Sequence, residues 1–207
     1  MKTSFQTRRA LLAFAAAALC ACSGGGSSNA PPPAPTTGSA QLTNGTSSYI
    51  NEVYVVPSTS ATWGSMQNGS SIAPSAIWTL NSIPPDTYDA KVVVIGSVGR
   101  YNAYAYGFPI TAGTTFASTV YSSDFTGSLR VVNGSTSSIT GLYVVPPGAG
   151  TWGSNQLSVS IPLSGVFILN NIPSGSWDVL CLHADATTNT GYGVSIGSIA
   201  YTTVNCT

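Results

Sequence analysis

The chain has 207 residues, of which 43% are hydrophobic, 6% are charged and 22 are glycine. Six Lys+Arg in total cannot build the basic face that displaces counterions, so no nucleic-acid partner is expected. A hydrophobic, sparsely charged chain is also the opposite of a disordered one.

Lys2, Arg8 and Arg9 precede an apolar run from Ala10 to Ala21. That run falls short of the roughly 20 residues a membrane-crossing helix needs. A basic start, a short apolar stretch and small residues before a break mark residues 1–21 as a secretory signal. Leu19-Cys20-Ala21-Cys22 resembles the lipobox of bacterial lipoproteins. The resemblance implies cleavage before Cys22 and a diacylglyceryl thioether on its sulfur, with the membrane as partner through that lipid. The alternative is an ordinary signal cut near Ala21 that releases a soluble protein. Thr7-Arg8-Arg9-Ala10-Leu11-Leu12 loosely resembles a twin-arginine export signal, and the general route stays open beside it. Ser23, rather than Asp, follows the anchor; in Gram-negative lipoproteins this implies the outer membrane, with its face undetermined. Two or more acyl chains would hold the protein there stably.

Residues 22–39 are rich in Gly, Ser and Pro, including Pro31-Pro32-Pro33, and read as a disordered tether. Beyond it the sequence is written twice. A shift of 89 positions lays 38–94 on 127–183 without a gap, with 23 identities in 57 positions. Asn44-Gly45, Tyr54-Val55-Val56-Pro57 and Thr62-Trp63-Gly64-Ser65 recur as Asn133-Gly134, Tyr143-Val144-Val145-Pro146 and Thr151-Trp152-Gly153-Ser154. Later the offset becomes 86, aligning Tyr106-Gly107 with Tyr192-Gly193. Two repeats, 40–122 and 127–207, are expected as separate small domains joined near 122–126.

Short Val/Ile/Thr/Tyr runs between turn residues predict strands at 39–43, 50–56, 75–80, 87–96, 102–111 and 115–121. The second repeat predicts them at 128–133, 139–145, 164–170, 176–184, 191–196 and 199–206. The segments Ile83-Pro84-Pro85-Asp86-Thr87-Tyr88-Asp89 and Ile172-Pro173-Ser174-Gly175-Ser176-Trp177-Asp178 resemble a signature of prealbumin-like and immunoglobulin-like β-sandwich modules on bacterial surface proteins. The whole unit is similar to a repeat of envelope lipoproteins, a likeness that speaks to fold and not to activity. The expected fold class is all-β: two tandem small antiparallel β-sandwich domains after a signal peptide and a disordered linker.

Cys181 and Cys206 align with Val92 and Val120 of the first repeat, which suggests a pair of apolar contact sites in the core. A disulfide between them is expected in an exported protein, two buried thiols being the alternative. One histidine and two distant cysteines give no metal-ligand spacing, and no cofactor is implied.

His183 has Asp178 and Asp185 nearby in sequence but no nucleophile elbow, and reads as a pendant strand histidine. Lys91 lacks a Ser-x-x-Lys arrangement. Asp89 and Asp178 are the acids present in both repeats; a carboxylate bonded to turn N–H groups is the expectation for them, ahead of glycoside hydrolysis or calcium binding. No enzyme is expected. Trp63 and Trp152, with Gln67 and Gln156, are the candidate ligand-binding residues, lying in long connections where these glutamines and Asn155 would hydrogen-bond ligand hydroxyls. The tryptophans would stack on a sugar ring if exposed, or plug one end of the sandwich if buried. Tyr101, Tyr104 and Tyr106 form a further aromatic group, with Tyr104 and Tyr106 on one face. The expected function is a non-catalytic envelope lipoprotein, structural or protein-interacting. The alternative is a glycan- or other ligand-binding surface module using the Trp loops.

Overall fold

The β-branched and aromatic runs form twelve strands in the computed structural model, which describes residues 33–207. The signal segment, Cys22 and most of the tether lie outside the described residues. In the first repeat the strands are β1 (Gly38–Asn44), β2 (Glu52–Pro57), β3 (Ile77–Ile83), β4 (Asp86–Ile95), β5 (Arg100–Ile110) and β6 (Thr115–Val120). In the second they are β7 (Gly127–Asn133), β8 (Ile139–Val145), β9 (Val166–Ile172), β10 (Gly175–His183), β11 (Thr188–Ile196) and β12 (Tyr201–Cys206). Each repeat divides its strands between two three-stranded sheets, β3-β1-β6 facing β2-β4-β5 and β9-β7-β12 facing β8-β10-β11. The pairing is antiparallel except where β6 runs parallel to β1 and β12 parallel to β7.

Period-2 alternation fixes which side chains meet between the sheets. Val53, Val92, Val94, Tyr101, Ala103 and Val120 fill the first core. Leu129, Val131, Leu142, Val179, Cys181 and Cys206 fill the second. Val92 and Val120 of one core are replaced in the other by Cys181 and Cys206, which are bridged with their Cα atoms 6.3 Å apart.

The sequence expectation ends β3 and β9 at residues 80 and 170. Both strands instead run on to Ile83 and Ile172. Ser82 and Asn171 adopt φ of 58° and 63°, and the register against β1 and β7 shifts there, so the polar pairs Asn81-Ser82 and Asn170-Asn171 are bulges inside a strand.

Three devices appear in both repeats because the sequence repeats them. Asn44 and Asn133 are fully buried. Asn44 donates to the carbonyls of Ser48 (2.8 Å) and Ile72 (3.0 Å) while its Oδ1 accepts from Thr46. Asn133 does the same with Ser137, Ile161 and Ser135. The Asn-Gly pairs therefore knot a loop and are not hairpin tips. After the prolines, the Tyr88 hydroxyl and the Trp177 indole N–H each donate to the carbonyl four residues back, on Pro84 and Pro173. Asp89 and Asp178, both buried, accept the N–H of Gly107 (3.0 Å) and Gly193 (2.9 Å) across the sheet. Those glycines carry φ of 67° and 64° at a bulge, a left-handed conformation other residues resist. The repeated carboxylates thus hold a bulge in place.

The junction is packed. A single 3₁₀ turn at Ser122–Asp124 leads to Phe125, whose side chain is buried in the first repeat's core, and Ile199 from the second repeat lies against the same cluster. Asn102 hydrogen-bonds Asn171 across the junction. The geometry is duplicated as well: Ile199 N–H donates to the Thr126 carbonyl (3.1 Å) as Gly113 N–H donates to that of Thr37 (2.9 Å). The tether's last residues thus enter repeat one as the junction enters repeat two.

Candidate functional site

On β2, β4 and β5 the residues that alternate away from the core face outward, and they are chemically unlike the rest of the molecule. Tyr54 on β2 and Tyr104 on β5 stand directly opposite Lys91 on the central strand β4. The Lys91 ammonium lies 4.1 Å from the Tyr54 ring centroid and 5.7 Å from that of Trp63, so two aromatic faces hold one cation. Desolvation in this setting pushes the Lys91 ammonium below its ordinary value, against the opposing pull of Glu52. Glu52 pairs with Arg100 and accepts the Tyr54 hydroxyl at 2.7 Å. Burial would raise the Glu52 carboxyl, but hydrogen bonds from Tyr54 and Arg100 outweigh it and hold the group below the usual carboxylate value.

Trp63 reaches this face because the chain leaving β2 turns back across the sheet. Gly64 takes φ 61° over Val56, and Gly153 takes φ 67° over Val145, which is why Trp-Gly is written identically in both repeats. The indole packs against Tyr104 (centroids 5.7 Å apart) and Tyr106 (6.4 Å), whose own rings lie nearly parallel 6.0 Å apart. Trp63 and Trp152 are half-buried, lying on the outward face of the sheet and not plugging its end. Tyr104 and Tyr106 share the outward face as their spacing predicts and are exposed, whereas Tyr101 turns into the core.

The second repeat keeps part of this arrangement. Trp152 sits 6.4 Å from Tyr192, and Tyr143 again stands opposite the central strand. There, however, Leu180 replaces Lys91, Thr190 replaces Tyr104 and Gly141 replaces Glu52. A side chain at 141 would collide with Tyr143, whose ring lies 2.8 Å from where its Cβ would be. Ser58, which bonds Asp89 at 2.6 Å, becomes Pro147, so that bond has no counterpart on Asp178. A cleft of about 420 Å³ opens here, lined by Trp152, Tyr192, Asp178 and the Gly148-Ala149-Gly150 loop. A second cleft, about 810 Å³, lies at the junction of the repeats beside Tyr49, Ile95 and Tyr201.

Gln67 and Gln156 play a different part. Their side chains turn back to the carbonyls of Ser65 (3.3 Å) and Ser154 (3.0 Å). Their backbone N–H groups bond Val53 and Leu142, and Asn68 and Asn155 accept from those same two residues, sealing the edges of β2 and β8. His183 is buried against Ser135, its Nδ1 3.0 Å from the hydroxyl, so the one histidine is withdrawn from solvent; Asp185 is spent on its own turn with Thr187. No group of three or more His, Cys, Asp or Glu is placed to hold a metal among the described residues.

From the sequence alone Lys91 is weighed only as a catalytic group, and Tyr54, Glu52 and Arg100 are given no role. The signal was present in strand parity: 52 and 54, 91, and 104 and 106 all fall on the outward side once the register of β2-β4-β5 is set.

No family model matches the chain, and no curated protein matches it in sequence. Among solved structures it is similar to the Bacillus anthracis TIE protein, at 13% identity and a TM-score of 0.31, over 83% of this chain and 34% of that one. It thus spans about a third of that protein's length. The minor pilin GBS52 of Streptococcus agalactiae matches at 11% identity and a TM-score of 0.32, over 82% of this chain and 94% of that one. The shaft pilin SpaA of Lactobacillus rhamnosus GG matches at 10% identity and 0.27, over 83% and 97%.

Proposed function

We propose that this protein is a non-catalytic lipoprotein of the cell envelope, anchored through Cys22 in the outer membrane and acting by contact with a partner. The observation that carries the reading is the outward aromatic face, built once on each repeat around Trp63 and Trp152. Its groups are suited to hold a surface against them and not to move protons, since the duplicated carboxylates are committed to bulges and His183 is enclosed. No helix among the described residues is long and apolar enough to cross a membrane, and the lipobox supplies the attachment in this reading.

A glycan is the second reading, supported by Tyr104, Tyr106 and Trp63, whose clustered and partly exposed rings suit the C–H face of a pyranose. Crosslinking in intact envelopes tests the first reading. A photoreactive residue replacing Tyr106 or Tyr192 should capture a defined envelope protein, and Trp63→Ala with Trp152→Ala should abolish the capture. Capture that survives the double variant would refute the assignment of the face. Retention of oligosaccharides without any protein crosslink would establish the glycan reading instead. Intact-mass measurement tests the anchor: an unmodified Cys22 would remove it.

A further inference from the structure

The two outward faces differ in charge in a way that assigns a ligand class to the second. In repeat one the aromatic face already contains a cation of its own, Lys91, held over the rings of Tyr54 and Trp63. Its carboxylates are provided for too: Glu52 pairs with Arg100, and Asp89 accepts from Ser58 and Gly107. Repeat two keeps Tyr143, Trp152, Tyr192 and Asp178 but places Leu180 where Lys91 would be. Arg130 is its one Lys or Arg and lies on β7 in the opposite sheet, and His183, at the far end of β10, is buried against Ser135.

The cleft of about 420 Å³ therefore has two aromatic walls, Trp152 and Tyr192, a carboxylate that is 91% buried, and no basic residue in its lining. Gly148, Ala149 and Gly150 leave its rim free of bulky side chains. Aromatic faces attract cations through the ring quadrupole, most strongly where water is excluded. A mostly buried carboxylate with no basic neighbour in the cleft adds a Coulombic attraction that a neutral guest would not exploit.

We propose that this cleft binds an alkylammonium group, supplied by the ligand in repeat two as Lys91 supplies one in repeat one. The inference rests on the function above only in treating the Trp152 face as a recognition surface. An alkylammonium can come as a free amine or as a phospholipid headgroup, and soluble probes separate the two.

The test titrates the full-length protein with choline, n-butylamine and glycerophosphocholine, reading calorimetric heat and the indole N–H resonance of Trp152. The neutral isostere 3,3-dimethylbutan-1-ol and the disaccharide cellobiose serve as comparators. Choline should shift the Trp152 resonance saturably and leave that of Trp63 in place, while the neutral isostere shifts neither. Binding of glycerophosphocholine as well assigns the headgroup; its failure beside choline binding assigns the free amine. Asp178→Asn keeps the Oδ1 that accepts from Gly193, and Leu180→Lys installs an internal cation as in repeat one. Each should weaken choline binding about tenfold or more. Equal binding of the neutral isostere, no response to choline, or undiminished binding in both variants overturns the proposal. Cellobiose binding without choline binding overturns it in favour of a glycan and leaves the recognition surface intact.

Discussion

Repeat one carries valines where repeat two carries its disulfide, so the Cys181→Val, Cys206→Val double variant asks how much of the second core depends on the crosslink. The two cysteines are 25 residues apart and fully buried. A bridge closing a loop of that length removes unfolded-state entropy worth about 3.5 kcal/mol. Two valines recover some of this, since each buries slightly more apolar surface than a sulfur, about 1 kcal/mol together. The net loss should be about 2–3 kcal/mol. Each kcal/mol moves the melting point of a module this small by about 4–8 °C, so a fall of about 10–20 °C is expected by scanning calorimetry. Cys181→Ser with Cys206→Ser should fall further, because each hydroxyl enters an apolar core with no acceptor arranged for it, at about 1–3 kcal/mol. The expected order is oxidised parent, valine pair, reduced parent, serine pair. A valine pair melting below the reduced parent would refute the claim that the two cores are packed alike.

Three further outcomes follow from the same geometry. Asn133→Ala removes the acceptor of the Ser135 N–H and hydroxyl and one donor each from the Ser137 and Ile161 carbonyls, which keep the Ser135 hydroxyl and the Ile139 N–H, and should cost about 1–3 kcal/mol by urea denaturation; a loss under half a kcal/mol would contradict the buried knot. Ile199→Asp places a charge against the first repeat's cluster, so hydrogen exchange should rise around Val94 and Tyr101 in repeat one as well as locally; protection unchanged in repeat one would contradict a packed junction. Glu52 has a depressed pKa in the folded protein, so its contribution is complete above the unfolded-state value and disappears as pH falls through the folded one. Glu52→Gln should accordingly lose less stability than the parent between neutral and strongly acidic buffer, and an equal loss would show that the Tyr54 and Arg100 contacts do not stabilise the ionised form.

The strand positions of both repeats were accessible from alternation and turn residues, because each strand has one face in a core and one in water, whereas the order within the sheets and the parallel β1–β6 and β7–β12 pairs were not. The disulfide followed from the repeat itself, since Val92 and Val120 suggested positions 181 and 206 as a pair of apolar contact sites. Two kinds of feature were not legible. Ser82 and Asn171 are polar residues with positive φ, a pattern that belongs to turns, and only the register against β1 and β7 shows them to be bulges. The outward face was hidden because its members are scattered over fifty residues and meet only when β4 separates β2 from β5. Lys91, judged alone, has no catalytic neighbour in sequence; its aromatic partners come from two other elements. Gln67 and Gln156 have a backbone role that their nearness to Trp in sequence does not disclose, sealing the edges of β2 and β8.

Duplication makes the two halves a comparison carried within one chain. The positions that stay identical include the buried Asn knots, the Trp-Gly turns, the prolines before the aromatic corners and the carboxylates under the bulges. Apart from the tryptophans themselves, each serves backbone geometry, so its retention in both repeats says how the sandwich is held and not what it meets. The outward face behaves differently. Glu52 gives way to Gly141, Ser58 to Pro147, Lys91 to Leu180 and Tyr104 to Thr190, while the cores beneath remain superposable in character. These changes are coupled by contact. Tyr143 lies over Gly141, in the space a residue 52 counterpart would need, and the exchange of Ser58 for Pro147 removes a partner of the carboxylate. One scaffold thus carries a charge-compensated aromatic face and an aromatic cleft with a carboxylate in excess, two surfaces of different chemistry. The packed junction fixes the distance between them, so on the proposed reading a partner at Trp63 and an alkylammonium ligand at Trp152 would be held in a set geometry.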